Sequence, residues 1–155
     1  MRSRTAVATT WVLALALAAL SISCGNDNAK LRFANLDGAD ETPPNSSTAT
    51  GTAAYKIPNS RNSIQFSLTV ENIENVVAAH IHVGAPGVPG AIIFPLANGP
   101  FTTLTGTLTE ADFTPAPAAG INTFADGVNA LLAGNTYTNV HTTAFPAGEI
   151  RGQNE

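Results

Sequence analysis

Cysteine is almost absent from this chain, with Cys24 the only one among 155 residues. A lone cysteine closes no internal disulfide, so the fold must rest on its apolar core. Charge is also scarce, at 12% of residues, and basic charge is scarcest, with 7 Lys and Arg against 11 Asp and Glu. No run of basic residues stands in the sequence, which argues against nucleic acid as a partner. With so few charges, threonine, serine and asparagine are expected to solvate the outer faces. There is no internal repeat and no long low-complexity segment. No serine, cysteine or paired-carboxylate arrangement of the kind used in nucleophilic or acid–base catalysis is present, so a binding or structural role is favoured over an enzyme. Histidine is limited to three residues, all in two short segments.

The N-terminus opens on Arg2 and Arg4, followed by an uncharged apolar run over residues 6–20. Small residues, Ser21-Ile22-Ser23, then precede Cys24. Residues 1–23 read as a signal peptide, too short and wrongly flanked for a stable membrane span; the alternative is a retained anchor. Ser21-Ile22-Ser23-Cys24-Gly25 resembles a bacterial lipobox, whose cysteine becomes the lipidated first residue. Ser21 replaces the usual leucine, with Leu20 one place further back. Residues 24–30 are then a polar tether, and residues 31–155 form one domain on the outer side of a bacterial cell envelope. Removing the leader leaves 5 basic against 11 acidic residues, a net charge near −6.

Within the domain, residues 64–70 (IQFSLTV) alternate cleanly, with Ile64, Phe66, Leu68 and Val70 on one face. Residues 47–57 (STATGTAAYKI) form a threonine-rich strand that pairs with it as a hairpin. Further strands are expected over 31–36, 75–83, 91–96, 101–108, 136–142 and 148–153. Asp37 to Pro44 is a loop, since two prolines cannot continue a ladder. Thr109 and Thr123 each start a helical turn, with an acid three residues on. The second leads a short helix with Phe124, Val128, Leu131 and Leu132 on one face, ended by Gly134. Seven or eight short strands with turn signals between them predict an all-β, antiparallel, Greek-key-like sandwich or barrel with one short helix.

The histidines stand out against this background. His80 and His82, at i and i+2, share a strand face, opposite Ile81 and Val83. His141 sits opposite Val140 in a second strand. If the two strands are neighbours, three imidazoles converge on the outer face, where they suit one zinc or copper ion; water, Glu149 or nothing completes the set. The bland reading is a polar network in which His80 and His82 pin the glycine-rich turn and Asn139 and His141 pin the closing loop. Asn139, Glu149 and Arg151 are candidate supporting residues, with Glu149 and Arg151, on one strand face, expected to form a salt bridge or a loop clamp rather than to act in catalysis.

Five tracts, LDGADETPP, STATGTAAYKI, AAHIHVGAPGVPG, LLAGNTYTNVHT and PAGEIRGQ, follow one another in the order of the CHRD domain family, which the chain resembles from about Leu31 to Gln153. That resemblance implies an extracytoplasmic β-sandwich and no defined biochemical activity. A weaker likeness, confined to His80, His82 and His141 with Arg151 nearby, is to the copper strands of copper–zinc superoxide dismutase. Three histidines cannot supply a two-metal centre, so a dismutase of that kind is excluded. Three readings follow. The first is a lipid-anchored binding or structural domain carrying copper or zinc, in contact with the membrane through its anchor. The second is a metal-free module for a protein or matrix partner, and the third a mononuclear metalloenzyme.

Overall fold

A computed structural model describes residues 28–155; the expected signal peptide and Cys24 lie outside the described residues. Eight strands, β1 (Lys30–Asp37), β2 (Thr50–Ile57), β3 (Ile64–Glu71), β4 (Val76–Val83), β5 (Ile92–Asn98), β6 (Thr103–Leu108), β7 (Thr136–Thr142) and β8 (Ile150–Gln153), are joined by one helix, α1 (Phe124–Leu132). All pair antiparallel in a single sheet of order β5-β4-β7-β8-β1-β2-β3-β6, curled into a nearly closed barrel. Of the two expected forms, sandwich and barrel, this is the barrel.

The inner face explains the alternation. Ile64, Phe66, Leu68 and Val70 point inward and are nearly inaccessible, as are Tyr55 and Ile57 on β2 and Ile81 on β4. The segment between β6 and β7 passes between the two edge strands, and the Thr114 amide donates to the Ile93 carbonyl at 2.9 Å. The helical turn expected from Thr109 is a 3-10 turn, Glu110–Asp112, and a second one, Pro117–Ala119, forms before α1. Thr123 caps α1 in a capping box with Asp126, and Phe124, Val128 and Leu131 fill the barrel interior. Gly134, at φ +72, takes the left-handed turn that ends the helix.

One expectation fails. Threonine and asparagine are not confined to the outside, since Thr136, Thr138, Thr142 and Asn154 are all fully buried. The Tyr55 hydroxyl donates to Thr138, Thr138 donates to Asn154 Oδ1 at 2.7 Å, and Asn154 donates to Thr136 at 2.9 Å. Each hydroxyl finds a partner inside the barrel, which removes the penalty for burying it. Burial drives the Tyr55 phenol well above its ordinary value, so it stays protonated as the donor.

Strand bounds also shift for identifiable reasons. β2 starts at Thr50 rather than Ser47, because the Ser47 side chain turns to the Glu149 carboxylate at 2.7 Å. β8 starts at Ile150 rather than Gly148. Gly148 itself has φ +135, and a Cβ there would meet Glu41 Oε1 at 2.5 Å.

Candidate metal centre

β4 and β7 are neighbours, with His80 opposite Asn139, His82 opposite Tyr137, and His141 opposite Ala78. His80 and His141 are thus diagonal partners across the strand pair, within reach of each other's rings. The sheet alternation turns Ala79, Ile81 and Val140 into the core at 0% exposure and puts the three histidines on the outer side. That side is not open to water. The loops around residues 37–49, 84–90 and 143–149 fold over it, leaving all three imidazoles half-buried.

One nitrogen from each of His80, His82 and His141 lies within 4.8 Å of the others. His80 Nδ1 and His141 Nε2 are 3.1 Å apart. Two nitrogens bound to one ion at ~2.0–2.1 Å, at a tetrahedral angle, sit about 3.3 Å apart. The His80–His141 pair already has that spacing, and His82 must close by about 1.5 Å to share it.

Backbone carbonyls fix which nitrogens are free. A carbonyl only accepts, so His82 Nδ1 donates to Gly90 O at 2.9 Å and His141 Nδ1 donates to Pro146 O at 3.1 Å. Both rings therefore present Nε2 as a lone pair. Without an ion, His141 Nε2 accepts from His80 Nδ1, and that proton must move to His80 Nε2 for Nδ1 to ligate, whereas His82 Nε2 is buried with no hydrogen-bond partner. An imidazole whose second nitrogen is tied to a carbonyl, with its lone pair aimed at its neighbours, has the tautomer a metal ligand needs.

Electrostatics point the same way. Burial lowers the His80 pKa to about 4, reinforced by the His141 and His82 rings. Burial also lowers His82 and His141, opposed by the Gly90 and Pro146 carbonyls respectively. All three are neutral at pH 7, the state that can ligate.

The supporting residues are distributed differently from the expectation. Asn139 donates to the Glu41 carboxylate and to Ile150 O, away from the histidines. Glu149 is not part of the histidine cluster. Its two oxygens are held by Ser47 at 2.7 Å and Thr142 at 2.6 Å, so it forms neither the fourth ligand nor the expected pair with Arg151. Arg151 instead lies over the Tyr137 ring, 3.5 Å from its centroid, and donates to Thr42 Oγ1, Ala85 O and Val88 O. Tyr137 in turn stacks on His82, with centroids 4.9 Å apart and an 8° interplanar angle. Its hydroxyl accepts from the Gly90 amide at 3.0 Å. Arg151 and Tyr137 thus hold both the His82 ring and the loop that fixes its tautomer.

Glu41 is not legible as a site residue, because it sits in a loop between prolines and acids. It is 8% exposed, and burial raises its carboxyl pKa against the hydrogen bonds that lower it. Its one sequence signal is its place in the tract LDGADETPP.

Residues 32–154 match the CHRD domain family. The chain belongs to that family. No curated protein and no solved structure matches it. Within this CHRD domain the histidines of AAHIHVGAPGVPG and of NTYTNVHT meet on adjacent strands, and the glutamate of LDGADETPP meets the asparagine of the second tract.

Proposed function

We propose that this CHRD domain is a lipid-anchored, extracytoplasmic binding or structural domain that holds one Cu(II) or Zn(II) ion at His80, His82 and His141. The observation that carries the reading is His82 Nε2, a buried lone pair without a partner, facing two other neutral imidazoles. Leaving such a group unpaired costs about 1–3 kcal/mol, and an ion would satisfy it. Three imidazoles without a carboxylate or thiolate leave a coordination position open to water, as in some zinc sites. The ion's role in this reading is to lock β4, β7 and the two loops together, or to be carried as cargo.

A metal-free module is the second reading. The bonds from His82 to Gly90 O and from His141 to Pro146 O favour it, because they pin both loops with no ion needed. Metal analysis of the untagged protein, followed by Cu(II) and Zn(II) titration of wild type and a His80→Ala/His82→Ala variant, separates the two. Stoichiometric binding lost in the variant supports the ion. Equal binding by both leaves the polar network. For the anchor, the membrane fraction should yield a mature chain beginning at a lipid-modified Cys24, and Cys24→Ala should release it.

A further inference from the structure

The basic residues of this domain cluster at one end, and two of its four exposed large apolar side chains, Leu31 and Phe33, lie with them. Antiparallel pairing places Lys30 beside Ile57 and Leu31 beside Lys56, so the start of β1, the end of β2 and the following turn share one end of the barrel. That end carries Lys30, Arg32, Lys56 and Arg61, four of the five basic residues described. Arg61 is exposed in the turn, and Arg32 also donates to the Leu132 carbonyl at the end of α1. The opposite end closes on Asp37 and Glu71, in one row of the β1–β2–β3 register, with Asp40 and Glu74 in the loops beyond. A chain that is acidic overall thus presents its bases together.

Leu31 and Phe33 alternate along β1 with Lys30 and Arg32, and Leu31 pairs with Lys56, which shares their outer face. They are 50% and 56% exposed and, two residues apart on β1, point outward on the same face. Glu155 is the acid closest in register, its backbone paired with Phe33, and Glu110 and Asp112 lie beyond β6 at the same end. An exposed aromatic and a leucine beside Lys56, at an end that also bears Lys30, Arg32 and Arg61, match the headgroup region of an anionic bilayer, where apolar side chains sink ~5–10 Å and cations meet phosphates.

Chain length supplies the second argument, which rests on the lipid-anchor reading. From Cys24 to Lys30 is six residues, at most about 22 Å when fully extended. A compact domain of this size is about 35 Å across. The anchor therefore cannot reach around the barrel, and Lys30 stays within about 22 Å of the membrane.

We infer that the Lys30–Phe33 and Lys56–Arg61 end of the barrel docks on an anionic phospholipid surface, with Leu31 and Phe33 entering the interface. The acidic end and Val77, on the far side at the start of β4, then face away from the lipid. The metal-binding histidines stay on a flank, free of the contact.

The test uses the lipid-modified mature chain beginning at Cys24, reconstituted in vesicles; it holds no tryptophan, so each introduced indole is the only one. Phe33→Trp reports on the docking end, and Val77→Trp, 40% exposed in the wild type, on the opposite end. Flotation with the vesicles reads the anchor, and quenching by brominated lipid reads the docking. The expected result is strong quenching of the indole in the Phe33→Trp chain and little in the Val77→Trp chain, greater with phosphatidylglycerol than with phosphatidylcholine alone. Lys30→Glu with Lys56→Glu should weaken the docked state by at least about fivefold for each base lost near the surface. If the Phe33→Trp chain floats but is quenched no more than the Val77→Trp chain, the docking alone is overturned. A chain that does not float overturns the anchor as well. An indole that is blue-shifted but unquenched in the Phe33→Trp chain, with a shift that follows protein density, would assign the patch to a second copy and also overturn the proposal.

Discussion

Replacing Arg151 by Met should destabilise the domain by about 3 kcal/mol. Arg151 is 3% exposed, and its guanidinium donates to three oxygens, at 3.1 Å to Thr42, 3.1 Å to Ala85 and 3.0 Å to Val88. A hydrogen bond from a charged donor contributes about 1.5–3 kcal/mol when its acceptor is left dry. Ala85 and Val88 are exposed, however, so water rehydrates their carbonyls and about 1 kcal/mol each is the fair figure. The contact with the Tyr137 ring adds about 1–2 kcal/mol, being largely desolvated. Methionine keeps much of the packing and removes the cost of burying a charge, which brings the total back to about 3 kcal/mol. Urea unfolding followed by circular dichroism reads the difference as a lower midpoint at unchanged slope. Because Glu149 is engaged elsewhere, a double-mutant cycle between Glu149→Gln and Arg151→Met should return a coupling below about 0.5 kcal/mol. A loss under about 1 kcal/mol for Arg151→Met, or a coupling above about 1 kcal/mol with Glu149, would refute the clamp.

Acid should weaken the domain before its carboxylates titrate. His80 is held near pH 4 in the folded state against 6.5 in the unfolded chain, so its contribution is complete above 6.5 and is lost as the pH falls toward 4. After discounting for its half-exposed edge the loss is about 1–2 kcal/mol. Glu41 has the opposite sign, because burial raises its carboxyl pKa and the folded state takes up that proton before the unfolded chain as the pH falls, so the measurement belongs in a Glu41→Gln background. Urea midpoints that stay flat from about pH 7 to about pH 4.5 would refute the depressed histidines. Gly148→Ala should cost about 2–3 kcal/mol, from a positive φ and from the Cβ clash with Glu41, and a thermal shift of less than about 3 °C would contradict that packing.

How much of this is legible in the sequence follows from which faces are buried. On β3 one face meets the core and the other water, so the alternation of Ile64, Phe66, Leu68 and Val70 is plain. On β7 both faces are covered, and period two disappears: Thr136, Thr138 and Thr142 pack inward, while Tyr137 and Asn139 lie under loops. The strand itself is legible, but composition alone assigns its threonines to solvent. The histidine cluster is legible because i, i+2 spacing fixes a face whatever the register. That the strands are adjacent, and that His141 lies diagonal to His80 rather than opposite it, requires the fold. The partners of Asn139, Glu149 and Arg151 are not legible, since each reaches a loop 63 to 109 residues away. Loop closure over the outer face, which no local pattern encodes, decides them.

Titration of untagged protein with Cu(II) near pH 7, read by calorimetry and by the ligand-field spectrum, tests the histidine centre most directly. The account predicts one ion per chain, nitrogen ligation in the spectrum, and loss of both in the His80→Ala/His82→Ala variant. It also predicts that binding persists to lower pH than for free imidazole, because burial already keeps these rings unprotonated. No heat and no spectrum with folded wild type, or the same binding by the folded double variant, would contradict it.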